Sequence, residues 1–151
     1  MQYPPQHDLA ALGRMVLSFA QLEYHVKMVF AVLTTTIGEP IEVQEVFRPD
    51  FKPMLNKLLR QLTSLRMPER DKAHICAVFD ALEGLPELVF RRNTFVHGRL
   101  IEGPGETMVC FNYAHGRGEE LTADRLDALS NEIQGCIDLL GGIPASFLSL
   151  H

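Results

Sequence analysis

The chain reads as an all-α protein, an up-down bundle of about four helices with a small β-hairpin inserted between the third and the last long helix. Three observations predict this. Apolar residues recur at steps of three and four through most of the 151 residues, the spacing of a helix face. That period gives way only over Arg99 to Ala114, where Gly103-Pro-Gly105 supplies a turn between two short runs. The joins between helical blocks are short, which favours antiparallel neighbours. The length corresponds to a single domain spanning 1–151, with its core between about 8 and 140, and a chain of this size buries ~70% of its unfolded surface without staples.

The first block runs from Asp8, a plausible N-cap, to Thr36. Leu9, Leu12, Val16, Phe19, Val26, Phe30 and Leu33 form its seam, with Glu23 in one slot. Gly38 ends it, and a short apolar turn is expected over Val43 to Phe47. Pro49-Asp50 opens the second block, whose face is Leu55, Leu58, Leu59, Leu62 and Leu65. The third covers Glu69 to His97 through Ile75, Val78, Leu82, Leu85, Val89 and Val96, and Gly84 with Pro86 should kink or split it. Gly98 is placed where a C-cap wants positive φ. His115-Gly-Arg-Gly118 reads as a solvated loop in preference to one whose His115 and Arg117 touch a nucleic-acid backbone, and Tyr24 and Tyr113 read as packing residues in preference to base-stacking ones. Thr122 caps a last helix carrying Leu126, Leu129, Ile133, Cys136 and Leu140. The tail from Ala145 to His151 can pack through Phe147 and Leu148.

Composition narrows the function. A net charge of −5 argues against a broad basic grip on nucleic acid, though not against a local basic pocket. Cys76, Cys110 and Cys136 are odd in number, widely spaced and without CxxC, which disfavours a disulfide framework or a zinc site and suits a reducing compartment. The N-terminus has neither the basic nor the apolar region of a signal peptide. The apolar stretch Met15 to Leu33 is interrupted by Glu23, His25 and Lys27, so no membrane span and a cytoplasmic location are expected. His7, His25, His74, His115 and His151 are scattered without metal-ligand spacing, so neither metal nor cofactor is expected.

Two features break the apolar pattern. Glu23 sits about 40° from the centre of its stripe. Either it lies at the rim, with Leu22 taking the core position, or it faces a cleft and meets a basic partner. Later, Arg91, Arg92 and Arg99 place three of ten arginines within nine residues. Asn93 and His97 share a helix face at i, i+4, whereas Arg92 and His97 are turned roughly 140° apart. The latter two could meet around a groove or across a twofold axis. Alternatively, His97 and the arginines only complement a helix C-terminus.

Arg92-Asn93, three residues, then His97-Gly98, late in a helical chain, resembles the HEPN superfamily, as does Phe19-Ala-Gln-Leu-Glu23. The resemblance implies a homodimer with the motifs of two subunits lining a cleft. It also implies a metal-independent endoribonuclease, possible as a toxin or defence component with an antitoxin partner. Histidine titrates near neutrality and serves as base or acid toward a 2′-OH, and a guanidinium stabilises the phosphorane charge. On that basis Arg92, Asn93 and His97 are the candidate catalytic residues, with Glu23, Arg91 and Arg99 in support. The alternative is a non-catalytic module that dimerises or binds RNA or a nucleotide, and beyond it an unrelated helical domain with no site at this motif.

Overall fold

A computed structural model describes residues 4–46 and 51–143. Most of them are helical: α1 (Gln6–Thr36), a short α2 (Val43–Val46), α3 (Lys52–Ser64), α4 (Glu69–Glu83), α5 (Leu85–His97) and α6 (Ala123–Gly141). Between α5 and α6 lie β1 (Arg99–Glu102), β2 (Met108–Asn112) and β3 (Arg117–Glu120). They form one antiparallel sheet in the order β1-β2-β3. The expected all-α class with a β insertion is what the chain adopts. Pro49-Asp50, Phe47 and the Ala145–His151 tail lie outside the described residues.

The chain divides into two compact units, Met1–Gln21 with Pro86–Gln134, and Leu22–Leu85 with Gly135–His151. In the first, Ala11, Met15 and Phe19 of α1 are buried, as are Leu88 and Phe95 of α5, Cys110 of β2 and Leu126, Leu129 and Ile133 of α6. In the second, the buried set is Leu22, Val26, Phe30 and Leu33 of α1, Leu55, Leu58 and Leu62 of α3, Ile75, Val78 and Leu82 of α4 and Leu140 of α6. Each fully buried aliphatic side chain contributes about 1.5–3 kcal/mol of transfer free energy. Gln61 Nε2 donates to Thr34 Oγ1 at 2.8 Å inside the second unit, which pairs these two buried groups, while Gln61 Oε1 is buried with no hydrogen bond among the described residues.

The α1 seam differs from the expected one. Leu9 and Val16 are exposed, while Ala11, Met15 and Leu22 are buried. A heptad step drifts against the 3.6-residue turn, and over thirty-one residues the buried stripe follows the helix. Asp8 does not cap α1, which begins at Gln6. Its buried carboxylate instead accepts from the Ala123 N–H at 2.8 Å and caps α6 from across the unit. Thr122 Oγ1 accepts from the Arg125 N–H at 3.2 Å at the same helix start, as expected. By length and composition α1 is also apolar enough to cross a membrane, but its buried stripe serves the core of both units.

The third block divides at Gly84 into α4 and α5. Beyond the break the buried positions change register. Leu85, Leu88, Thr94 and Phe95 are inside, whereas Val96 is 40% exposed and Val89 only half-buried. Leu59 of α3 and Leu65 just past its end are likewise half-buried, and Met54 and Gln61 complete the inner face of α3.

Gly98 does not have the positive φ of an αL cap; among the described residues that conformation belongs to Gly38, Gly105 and Gly116. Glycine is needed at Gly98 for a different reason. A Cβ there would collide with the Thr94 carbonyl oxygen and stand 3.2 Å from that of Phe111. The expected hairpin is present, but the segment read as a loop supplies a third strand, β3. Tyr24 and Tyr113 are not packing residues in the core, being 61% and 63% exposed.

Candidate functional site

Four of the six candidate residues lie on α5 and one begins just beyond it. Arg91 is tied down: its Nε donates to Glu119 Oε1 at 3.0 Å and its Nη1 to Glu132 Oε2 at 3.3 Å. It therefore joins α5 to β3 and α6 rather than contributing free positive charge. Only 21% of its side chain is exposed, and that of Glu119 only 14%. Glu119 Oε2 is buried with no hydrogen bond among the described residues, so the carboxylate depends heavily on this arginine.

Arg92 is half-buried, with its Cζ 4.5 Å from the centre of the Phe19 ring. This is the geometry of a cation–π contact, and it directs the guanidinium toward α1. Asn93 is half-buried, and His97, the last residue of α5, is exposed. The helix turns Arg92 and His97 about 140° apart. Arg99 opens β1, exposed, with its Cζ 6.0 Å from the Tyr113 ring. Glu23, in the second unit, is half-buried, and Leu22 beside it is 1% exposed and occupies the core position.

The sheet gathers chemistry that the motif does not include. Arg117 at the start of β3 forks onto Glu87 of α5, with distances of 2.8 and 3.4 Å to the two carboxylate oxygens. Its Cζ also lies 4.5 Å from the centre of the Phe90 ring. His115 stands edge-on to the same ring at 4.9 Å. The hydrogen bond from Arg117 holds the Glu87 carboxyl below its ordinary range, and Glu87 raises the Arg117 guanidinium in return.

The two sheet faces are distinct. Leu100, Cys110 and Glu119 are directly opposed; Cys110 and Glu119 turn inward, Cys110 being 3% exposed and Glu119 holding Arg91, while Leu100 on the edge strand remains exposed. Burial, with the Glu119 charge as a smaller cause, pushes the Cys110 thiol up to about 11. Arg99, Phe111 and Gly118 are opposed on the outer face. Phe111 and Tyr113 meet there edge to face at 4.7 Å.

Two hollows lie apart from the motif. One of about 630 Å³ runs between α1 and α6 in the first unit, past Arg14, Ser18, Gln21, Ser130 and Asn131. The other, about 320 Å³ and mostly apolar, lies between α3 and α4 in the second unit, lined by Leu62, Met67, Ile75 and Phe79. Among the described residues no group of three or more His, Cys, Asp or Glu is placed to hold a metal.

The residues that sequence reasoning passed over are Glu87, Phe90, Phe111 and Glu119, together with the exposure of Tyr113. The alternation of Phe111 and Tyr113 after Val109 was the available signal, since a period of two puts all three on one sheet face. Comparison with known proteins finds no matching family model, no similar curated protein and no similar solved structure.

Proposed function

We propose that this chain is a cytoplasmic, HEPN-like RNA-binding protein that cleaves RNA without a metal, with His97 as its proton-transfer group. The setting of His97 carries the reading. Its imidazole is exposed at the end of α5 and has no hydrogen bond among the described residues, so both ring nitrogens are open to a substrate. In the reaction an imidazole nitrogen takes the proton of a ribose 2′-OH, and the 2′-oxygen attacks the adjacent phosphorus. The bond to the 5′-oxygen breaks, and a second imidazolium returns a proton to that oxygen. The products are a 2′,3′-cyclic phosphate and a 5′-OH.

Such a step also needs positive charge at the phosphorane. Arg92 and His97 are turned apart on one helix, so the site is completed by a second copy in a homodimer. That copy would bring its Arg92 and His97 to the cleft, and Asn93, on the His97 face, would orient the imidazole or phosphate. Arg91 has no part in the chemistry because Glu119 and Glu132 hold it. A specific observation favours the second reading, a non-catalytic module that binds RNA or a nucleotide. The Arg92 guanidinium is half-buried on Phe19, where it serves packing.

The test is incubation of the purified chain with mixed cellular RNA in EDTA beside His97→Ala and Arg92→Ala. Cleavage by the wild type alone, leaving cyclic phosphate ends, is the expected result. Cleavage that persists in His97→Ala overturns the assignment. Intact RNA in every lane, with RNA still bound by the wild type, selects the non-catalytic module.

A further inference from the structure

We infer that the outer face of the three-stranded sheet is a stacking platform for an unpaired base of single-stranded RNA, built from Tyr113, Phe111 and Arg99. The inference takes its class of ligand from the RNA reading above but makes no use of His97.

The face is defined by register. Arg99, Phe111 and Gly118 stand opposite one another across the three strands, as do Ile101, Val109 and Glu120 in the next row. The reverse side faces inward through Cys110 and Glu119, so this side is left to solvent. Gly118 is what allows the aromatic floor to lie low. A Cβ at that position would come within 2.9 Å of Phe111 Cδ2 and 3.0 Å of Val109 Cγ1, so the Phe111 ring leans across the space a side chain would fill. Tyr113 stands against it at 4.7 Å and 66°. Although in contact with a second ring, Tyr113 keeps 63% of its surface exposed.

An exposed aromatic pair needs an occupant chemistry, and the charge beside it selects one. The Arg99 guanidinium lies 6.0 Å from the Tyr113 ring, itself exposed. The carboxylate on this face, Glu120, has Arg125 Nε 3.9 Å away. An exposed aromatic pair with a guanidinium 6.0 Å from the centre of one ring matches a nucleotide, whose base stacks on the exposed aromatic surface while its phosphate meets the guanidinium. A duplex hides the faces of its bases and does not fit.

The test uses a fluorescein-labelled 2′-O-methyl oligouridylate, which lacks the nucleophile and so cannot be cleaved. The expected results are that Tyr113→Ala weakens its binding roughly 5- to 100-fold and that Tyr113→Phe stays within about twofold. Arg99→Ala should lower the salt dependence of log Kd by about 0.7, the single-strand value for one phosphate. The chain has no Trp and three Tyr, so stacking should also quench tyrosine emission in the wild type. Equal binding by wild type and Tyr113→Ala overturns the proposal. So does equal affinity for a duplex, no binding by the wild type, or a change in self-association without a change in RNA affinity. Cleavage of natural RNA that continues with unchanged binding in Tyr113→Ala would refute the platform while leaving the nuclease reading intact.

Discussion

Gly98→Ala tests the structural content of the motif. The glycine joins α5 to β1, and its N–H donates to the Thr94 carbonyl at 3.0 Å. An added Cβ would be driven into that carbonyl oxygen, with the Phe111 carbonyl 3.2 Å away on the other side. Both obstacles are backbone atoms, so no side-chain rotation relieves them. Either the last turn of α5 or the β1–β2 ladder has to shift. Overpacking of this kind costs about 1–3 kcal/mol. Because both obstacles are backbone, the upper part of that range, about 2–3 kcal/mol, applies; alanine returns about 0.4–1 kcal/mol by restricting the unfolded chain, leaving a net loss of about 1–2.6 kcal/mol. For a chain of this length each kcal/mol lowers Tm by about 2–4 °C, so Gly98→Ala should melt about 2–10 °C earlier. Far-UV circular dichroism during a thermal ramp reads this directly. An unchanged or raised Tm would refute the steric argument.

The Glu87–Arg117 pair makes a pH-dependent contribution of definite sign. The folded Glu87 carboxyl titrates below its unfolded value, because Arg117 hydrogen-bonds its charged form. Its stabilisation is thus fully present above the unfolded value of about 4.3 and is lost as pH falls through the folded one. The difference in urea midpoint between wild type and Arg117→Ala should therefore shrink as pH is lowered through that window. A difference that grows on acidification would contradict it. Thiol labelling at mildly alkaline pH should distinguish the cysteines. Cys76 is exposed and should react at once, while Cys110, buried and titrating near 11, should wait for unfolding. With the half-buried Cys136 also replaced by Ser, Cys76→Ser should remove the fast phase, and fast labelling that survives in that double variant would show that the core thiol is accessible.

Much of the fold was legible because its signals are local. The Leu126–Leu140 spacing and the Thr122 cap define α6 without help from any distant residue. Gly84 divides the third block because a glycine there weakens the helix and Pro86 is tolerated only in the first turn of the next one. Legibility failed where the deciding partner is far along the chain. Nothing near Asp8 in sequence indicates that its carboxylate will cap a helix starting at Ala123. The loop residues Arg117 and Gly118 became strand because β2 was there to pair with them and Glu87 was there to receive the guanidinium.

The candidate site divides along the same line. A motif read from one helix carries residue types and spacing, but a guanidinium has no fixed direction until its neighbours are known. Arg91 and Arg92 are adjacent in sequence and similar in chemistry, yet one is locked between Glu119 and Glu132 while the other rests on Phe19. Local positive charge is therefore far less than three clustered arginines suggest, since two of the three have their guanidinium groups committed to packing or pairing. What remains exposed is His97 and Arg99, on either side of the glycine that turns the chain from helix to strand. That turn is fixed by the collision a side chain would suffer at Gly98. The backbone geometry that sets an imidazole at the end of α5 thus also sets a guanidinium at the start of the sheet. A single residue without a side chain sets the spacing of the two exposed groups, His97 and Arg99.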